Sequence, residues 1–164
     1  MRLKNIKISN YRCFKEAEID FDDHITLVVG KNGAGKTAIL DAVAVSVSTF
    51  LLGIDGGVSR SILKDDARYE FHNLNGTIDP QHQFPVIIET MGDCLNRSDI
   101  KWTRSLNSES GKTTVKDAGE LTGLAKKAQN QIMTGDKSLV LPLISYYGTG
   151  RLYAPVSYTH LRAH

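Results

Sequence analysis

Three features of the sequence predict an α/β fold: an apolar run of strand type at residues 25–29, a glycine-rich turn directly after it, and a mostly apolar helical stretch at residues 38–52. The run "ITLVV" is short, continuous and rich in branched aliphatic residues, as in a strand buried on both faces. In the turn "GKNGAGKT", Gly30, Gly35, Lys36 and Thr37 fit G-x-x-x-x-G-K-[ST], with the required spacing between the glycines. That pattern is a P-loop. Its glycines let the backbone curl so that the N–H groups of Gly30, Lys31, Asn32, Gly33, Ala34 and Gly35 can point inward at phosphates, and the following helix adds the positive end of its dipole. Lys36 then reaches the β and γ phosphates of ATP, and the Thr37 hydroxyl ligates Mg²⁺. Gly53 is placed to end the helix. The alternative is a glycine turn that only connects two elements.

Composition agrees with a globular domain. Apolar residues make up 41% and charged residues 23% of the 164 positions, enough to build a core rather than leave the chain disordered. Cys13 and Cys94 stand far apart with no C-x-x-C, which points to a reducing compartment and against a metal site. The amino terminus lacks the apolar core of a signal peptide, and no run of 18 apolar residues occurs, so a cytoplasmic protein is expected. A formal charge of +2 is too slight to argue for nucleic acid, although "RLKNIK" places three positive side chains on the first strand.

The elements around the loop follow in order. "LKNIKISNYRCF" alternates Leu3, Ile6 and Ile8 with polar residues, and "EAEIDF" supplies a second strand, so three strands precede the P-loop helix. Small GTPases and most nucleotide kinases place the P-loop strand first, and no N-K-x-D is present to read guanine. After the helix, "RYEFHNLNG", "FPVIIETMG" and "IKWTRSL" offer strands of an antiparallel arm, with turn residues at Asn75-Gly76 and Asp79-Pro80. Ala118, Leu121, Ala125, Ala128 and Ile132 recur at helical spacing. "SLVLPLISYY" is a second continuous apolar run of the doubly buried strand type.

Three ordered motifs then resemble one family. "NYRCF" at residues 10–14, "GKNGAGKT" with its extra Asn32, and "ILDAV" at residues 39–43 are similar to the amino-terminal pattern of the ABC-type ATPases of the SMC, SbcC, RecF and OLD class. A closer likeness, through "IKWTRSLNSESGKTT", "KDAGELTGLAKKAQ" and "LPLISYYGTGRLY", is to bacterial ATP-binding proteins of that class, sometimes labelled virulence-associated, with relatives in phage defence. The resemblance covers residues 1 to about 154. It implies an ABC-type amino-terminal lobe, a mixed sheet with an antiparallel subdomain, and an incomplete one. It also implies ATP and Mg²⁺ as ligands, a homodimer with composite nucleotide sites, and action with DNA or a partner nuclease. Arg12 is placed by the resemblance beside bound nucleotide; a surface salt bridge is its other reading.

Other features carry less. "VIIE" at residues 86–89 imitates a Walker B strand, but Gly92-Asp93 and the polar stretch beyond suggest one arm of a hairpin. "GKTT" at Gly111 lacks the upstream glycine of a second P-loop and reads as a turn. His24, His72 and His82 lack metal-ligand spacing. Asp41 is either an ordinary helix-face acid or part of the site. Tyr147 and Arg151, in "YGTGR", should emerge near the carboxyl ends of the sheet, where they either meet nucleotide or make a structural turn. No Walker B acid or signature motif is identifiable, so no catalytic residue is assigned. "VSYTHLRAH", residues 156–164, resembles a translated sequencing-adapter sequence, one frame of which encodes it in order, so the native lobe is expected to occupy residues 1–155. Two functions remain open: an ATPase when the protein is complete, or a nucleotide-gated scaffold that binds ATP without appreciable turnover.

Overall fold

The computed structural model describes residues 1–148 apart from residues 75, 76 and 137. Arg151, the boundary at 155, the 156–164 tail and the Asn75-Gly76 turn lie outside the described residues. A hairpin of β1 (Arg2–Tyr11) and β2 (Phe14–Asp20) comes first. After it come α1 (Lys36–Ser48), extended by a 3-10 turn over Thr49–Gly53, then the hairpin of β3 (Tyr69–Leu74) and β4 (Thr77–His82). β5 (Val86–Cys94), β6 (Arg97–Leu106) and α2 (Gly119–Met133) complete the set.

Four strands form one sheet in the order β2-β1-β5-β6, and every pairing is antiparallel. The arm expected after the P-loop helix is therefore divided. β5 and β6 join the amino-terminal hairpin through β1, and only β3 and β4 stand apart as a two-stranded sheet. The period of two sorts the faces. Ile6 and Ile8 point inward opposite Thr90 and Ile88, which in turn face Trp102 and Arg104. On the other face Lys7 stands opposite Glu18 and Glu89, an arrangement of crossed charges suited to water.

Helix α1 covers the inner face because its own inner face is made of small residues. Ala38, Ala42 and Val45 pack with Ile6, Ile8, Val86, Ile88 and Leu106 in one apolar cluster. Several buried polar groups are matched: the Ser46 and Thr90 hydroxyls are 2.7 Å apart, and Trp102 Nε1 donates to the Ser46 carbonyl at 3.1 Å. The buried Arg104 guanidinium donates to Thr49 Oγ1 at 3.0 Å and to the Thr114 carbonyl at 2.8 Å. Lys36–Gly53 is apolar and long enough to cross a membrane by composition, yet here Ala42, Val45 and Phe50 are core residues. A second cluster forms where α2 presses Leu121 and Ala125 against Phe50, Ile100 and Trp102. Gly53 lets the helices close: a methyl there would sit 2.1 Å from the Thr122 carbonyl oxygen and 2.7 Å from Ala125 Cβ.

Two expected strands are not strands. Residues 25–29 have no ladder partner, and Ile25, Leu27 and Val29 are 82%, 81% and 77% exposed. Residues 139–148 are likewise irregular, with Leu143 97% exposed. A central strand is defined by neighbours on both sides, and among the described residues the strands present pair with one another and with neither run. Two strands, not three, precede α1. β4 is an added strand, holding Asp79 and Pro80, residues whose type predicts only a turn.

The basic residues of β1 are spent on acids. Arg2 bridges Asp23 and Asp93 at 2.7 and 2.9 Å, Lys4 bridges Asp93 and Asp99 at 2.7 Å each, and Lys7 meets Glu18 at 3.2 Å. The Lys4 hydrogen bond, helped by the Asp99 N–H, holds the Asp93 carboxyl down at about 2.

Two measurements check these packing and charge assignments. Gly53→Ala is expected to destabilise by about 1–3 kcal/mol in urea unfolding, because rigid backbone must move to admit the methyl; an unchanged midpoint would contradict the close approach. For Asp93 the folded pKa lies below the unfolded value of about 3.9, so its contribution is complete above about pH 4 and is lost as pH falls toward 2. The gap in urea midpoint between wild type and Asp93→Asn should therefore be level from pH 7 to 5, then close between pH 4 and 2. A gap that ignores pH would rule the Lys4 pairing out as its source.

Candidate functional site

The P-loop turn lies at the start of α1. Gly33 and Gly35 take φ of +82° and +87°, the left-handed region in which a side chain is strained. Gly35 is constrained a second way: a Cβ there would lie 2.5 Å from the Phe14 ring and 2.7 Å from Cys13 Sγ. The "NYRCF" turn is thus seated directly on the P-loop. Gly35 is also the N-cap of α1 and offers no side-chain cap, and no acid stands in the first helical turn. The first N–H groups and the positive dipole end are therefore left without a compensating group from the helix itself. Lys36 folds over the loop, its Nζ donating to the carbonyls of Gly30 at 2.8 Å and Lys31 at 2.7 Å. Lys31, Asn32, Gly33, Ala34 and Thr37 are exposed. Uncapped amides, an ammonium and an open glycine turn fit a phosphate chain, and the Thr37 hydroxyl fits as one ligand of a phosphate-bound Mg²⁺.

Beside the loop is a charge cluster. Arg12 donates from Nε to Asp66 Oδ1 at 2.8 Å and from Nη1 to Asp41 Oδ2 at 2.5 Å. Its own backbone N–H donates to the Asp66 carbonyl at 2.6 Å. These contacts hold Arg12 at φ +52°, a conformation that costs a non-glycine residue roughly 1–2 kcal/mol. Burial opposes the Arg12 charge, but Asp66, Asp41 and the neighbouring Tyr11 more than offset it and raise its pKa. The ion-pair reading of Arg12 is therefore present in the molecule, and the pairs are part-buried rather than a simple surface bridge.

Asp41 is 4% exposed, not an ordinary helix-face acid. Besides Arg12 it is ion-paired with Arg60 Nη2 at 2.9 Å and accepts from the Tyr146 hydroxyl. The Arg60 guanidinium stacks 5.0 Å from the Tyr146 ring centre. Burial, and then the bond to Asp41, raise the Tyr146 pKa. Asp66, Arg60 and Tyr146 were missed in the sequence. The signal that existed was an acid within the apolar run of α1, four residues and so one turn after Thr37.

The remaining candidates fall elsewhere. Glu89 sits on the solvent face of the sheet between Lys7 and Thr103, in the hairpin β5–β6, away from α1. "GKTT" is loop, with a turn closed by the Gly111 N–H on the Ser108 carbonyl at 3.0 Å. Tyr147 is exposed beside the anchored Tyr146. The described residues hold no group of three or more His, Cys, Asp or Glu placed to bind a metal.

Comparison with known proteins agrees with this geometry. The family described as an AAA domain matches residues 5–161. The DNA double-strand break repair Rad50 ATPase of Archaeoglobus fulgidus is 46% identical over 44 residues, 27% of this chain and 5% of that protein. The DNA replication and repair protein RecF of Chlorobium phaeobacteroides is 41% identical over 69 residues, 42% of this chain and 18% of that one. The RecF of Flavobacterium johnsoniae is 51% identical over 43 residues, or 26% and 12% of the two chains. The chain thus spans less than a fifth of the length of each of these relatives. A solved structure from work on the ATP-driven dimerization and DNA-stimulated activation of SMC ATPases aligns at TM-score 0.48 and 17% identity, covering 76% of this chain and 80% of that one, a likeness too distant to carry functional weight. The P-loop on α1, the arginine turn seated against it and the match across almost the whole length place the chain in the AAA domain family.

Proposed function

We propose that this chain forms the phosphate-binding half of an ATPase site. Residues 30–37 bind the triphosphate of ATP, Lys36 supplies charge at the β and γ phosphates, and Thr37 ligates Mg²⁺, which would neutralise phosphate charge there. The observation that carries the reading is the uncapped amino terminus of α1, opening on a glycine turn with an ammonium folded across it. Arg12 adds a guanidinium from the turn packed against Gly35.

Hydrolysis needs more than binding: an acid on the metal, a group that orients water, and donors that meet charge as it redistributes. Asp41 and Asp66, the acids of the cluster beside the loop, are already engaged by arginines. We infer that those groups come from further elements of the intact protein and from a second copy across a composite dimer site. In this reading the protein is a cytoplasmic ATPase of DNA repair, DNA maintenance or phage defence, working with DNA or a nuclease. A nucleotide-gated scaffold is the second reading, favoured by the engagement of those same acids.

In the full-length protein Lys36→Ala should raise the ATP Kd roughly tenfold to a hundredfold, the equivalent of about 1.5–3 kcal/mol for a lost charge-assisted contact. Unchanged affinity in calorimetry would remove the assignment. Thr37→Ala should spare part of the affinity while flattening its dependence on Mg²⁺. The purified 164-residue chain should show no ATP turnover above its own Lys36→Ala variant; turnover lost in that variant would mean that the water-orienting acid is present after all.

A further inference from the structure

Arg12 uses two of its three guanidinium nitrogens on carboxylates of this chain. Nε goes to Asp66 and Nη1 to Asp41, from two different segments, so the plane of the guanidinium is fixed at two points. Nη2 has no acceptor among the described residues. The backbone is held as well, at positive φ, by the Arg12 N–H on the Asp66 carbonyl. The next two residues, Cys13 and Phe14, bear on Gly35 of the P-loop. Asp41 lies on α1 four residues after Thr37, on the same helical face. It is kept in place from the opposite side by Arg60 and Tyr146, which share its Oδ1.

From this geometry we propose that Asp41, with Asp66, is a positioning residue of the nucleotide site: the two carboxylates clamp Arg12 by Nη1 and Nε and leave Nη2 as its donor to a triphosphate at residues 30–37. The proposal rests on the ATP-binding reading above and deepens it. It also explains why a buried acid stands so close to an anion site. Taken alone, Asp41 repels a triphosphate, and its removal would tighten binding by simple Coulomb attraction to the freed cations. A clamp acts in the opposite direction, because an Arg12 released from Asp41 gains rotational freedom that it must lose again on meeting phosphate.

That difference in sign is the test. ATP, and inorganic triphosphate as a base-free probe, are titrated calorimetrically into the full-length protein and into Asp41→Asn, Arg12→Ala and the double variant, each first verified as folded by thermal unfolding. Asp41→Asn should weaken both ligands several-fold, and Arg12→Ala by a similar factor. The double variant should be no weaker than Arg12→Ala alone, since a clamp has nothing to hold once the arginine is gone. Asp66→Asn, which spares the Asp41 contacts to Arg60 and Tyr146, should show the same coupling and serves where Asp41→Asn does not fold. Tighter binding in Asp41→Asn, unchanged binding, or penalties that simply add would each overturn the clamp while a Lys36→Ala loss of affinity left the phosphate site standing. No effect of Lys36→Ala would remove the site, and the clamp with it.

Discussion

A carboxylate on the inner flank of α1 cannot stay charged without partners, and much of the molecule around the P-loop is arranged to give Asp41 those partners. Desolvating an isolated carboxylate costs several kcal/mol, so its burial is tolerated only when the geometry around it is good. Arg12 arrives from the turn between β1 and β2, Arg60 from the loop after the 3-10 turn, and Tyr146 from the segment following α2. Three stretches distant in sequence therefore meet on one helix, within a turn of Thr37. The apolar cluster of α1 on the sheet sets how deep the helix lies, and the charges set where the loops around its amino terminus come to rest.

The P-loop itself is held from below. Phe14 and Cys13 occupy the space that a side chain at position 35 would need, so the "NYRCF" turn and the glycine turn are complementary surfaces. The same hairpin delivers the arginine and buttresses the loop. This accounts for the persistence of a strained φ at Arg12: its backbone and its side chain are both bound by Asp66, and its neighbours are wedged against α1.

Different parts of this arrangement were legible in the sequence to different degrees. Alternation of apolar and polar residues located β1, short strand-type runs located β2, β3, β5 and β6, and the 3.6 pattern located α2. The P-loop was legible because its chemistry demands glycine, lysine and threonine at set positions. The runs at 25–29 and 139–148 read as buried strands because continuous apolar sequence says that burial is needed, while saying nothing of which strand provides it. Strand β4 was hidden by Asp79 and Pro80, turn-forming residues that an edge position in a two-stranded ribbon accepts.

Asp41 marks the boundary between the two kinds of information. By itself the sequence determined the glycine-rich P-loop turn, the helix that carries it and the amphipathic elements that flank it, because all of these follow from residue type at short, regular spacing. Only the tertiary structure decided that β5 pairs with β1, that Gly35 meets Phe14, that Asp41 and Asp66 meet Arg12, and that Arg60 and Tyr146 meet Asp41. Polar contacts between residues 19 to 105 positions apart leave no periodic trace in a single sequence, since either partner alone looks like any other surface arginine, tyrosine or acid; what joins them is the depth at which α1 packs, and that depth is set by the whole core.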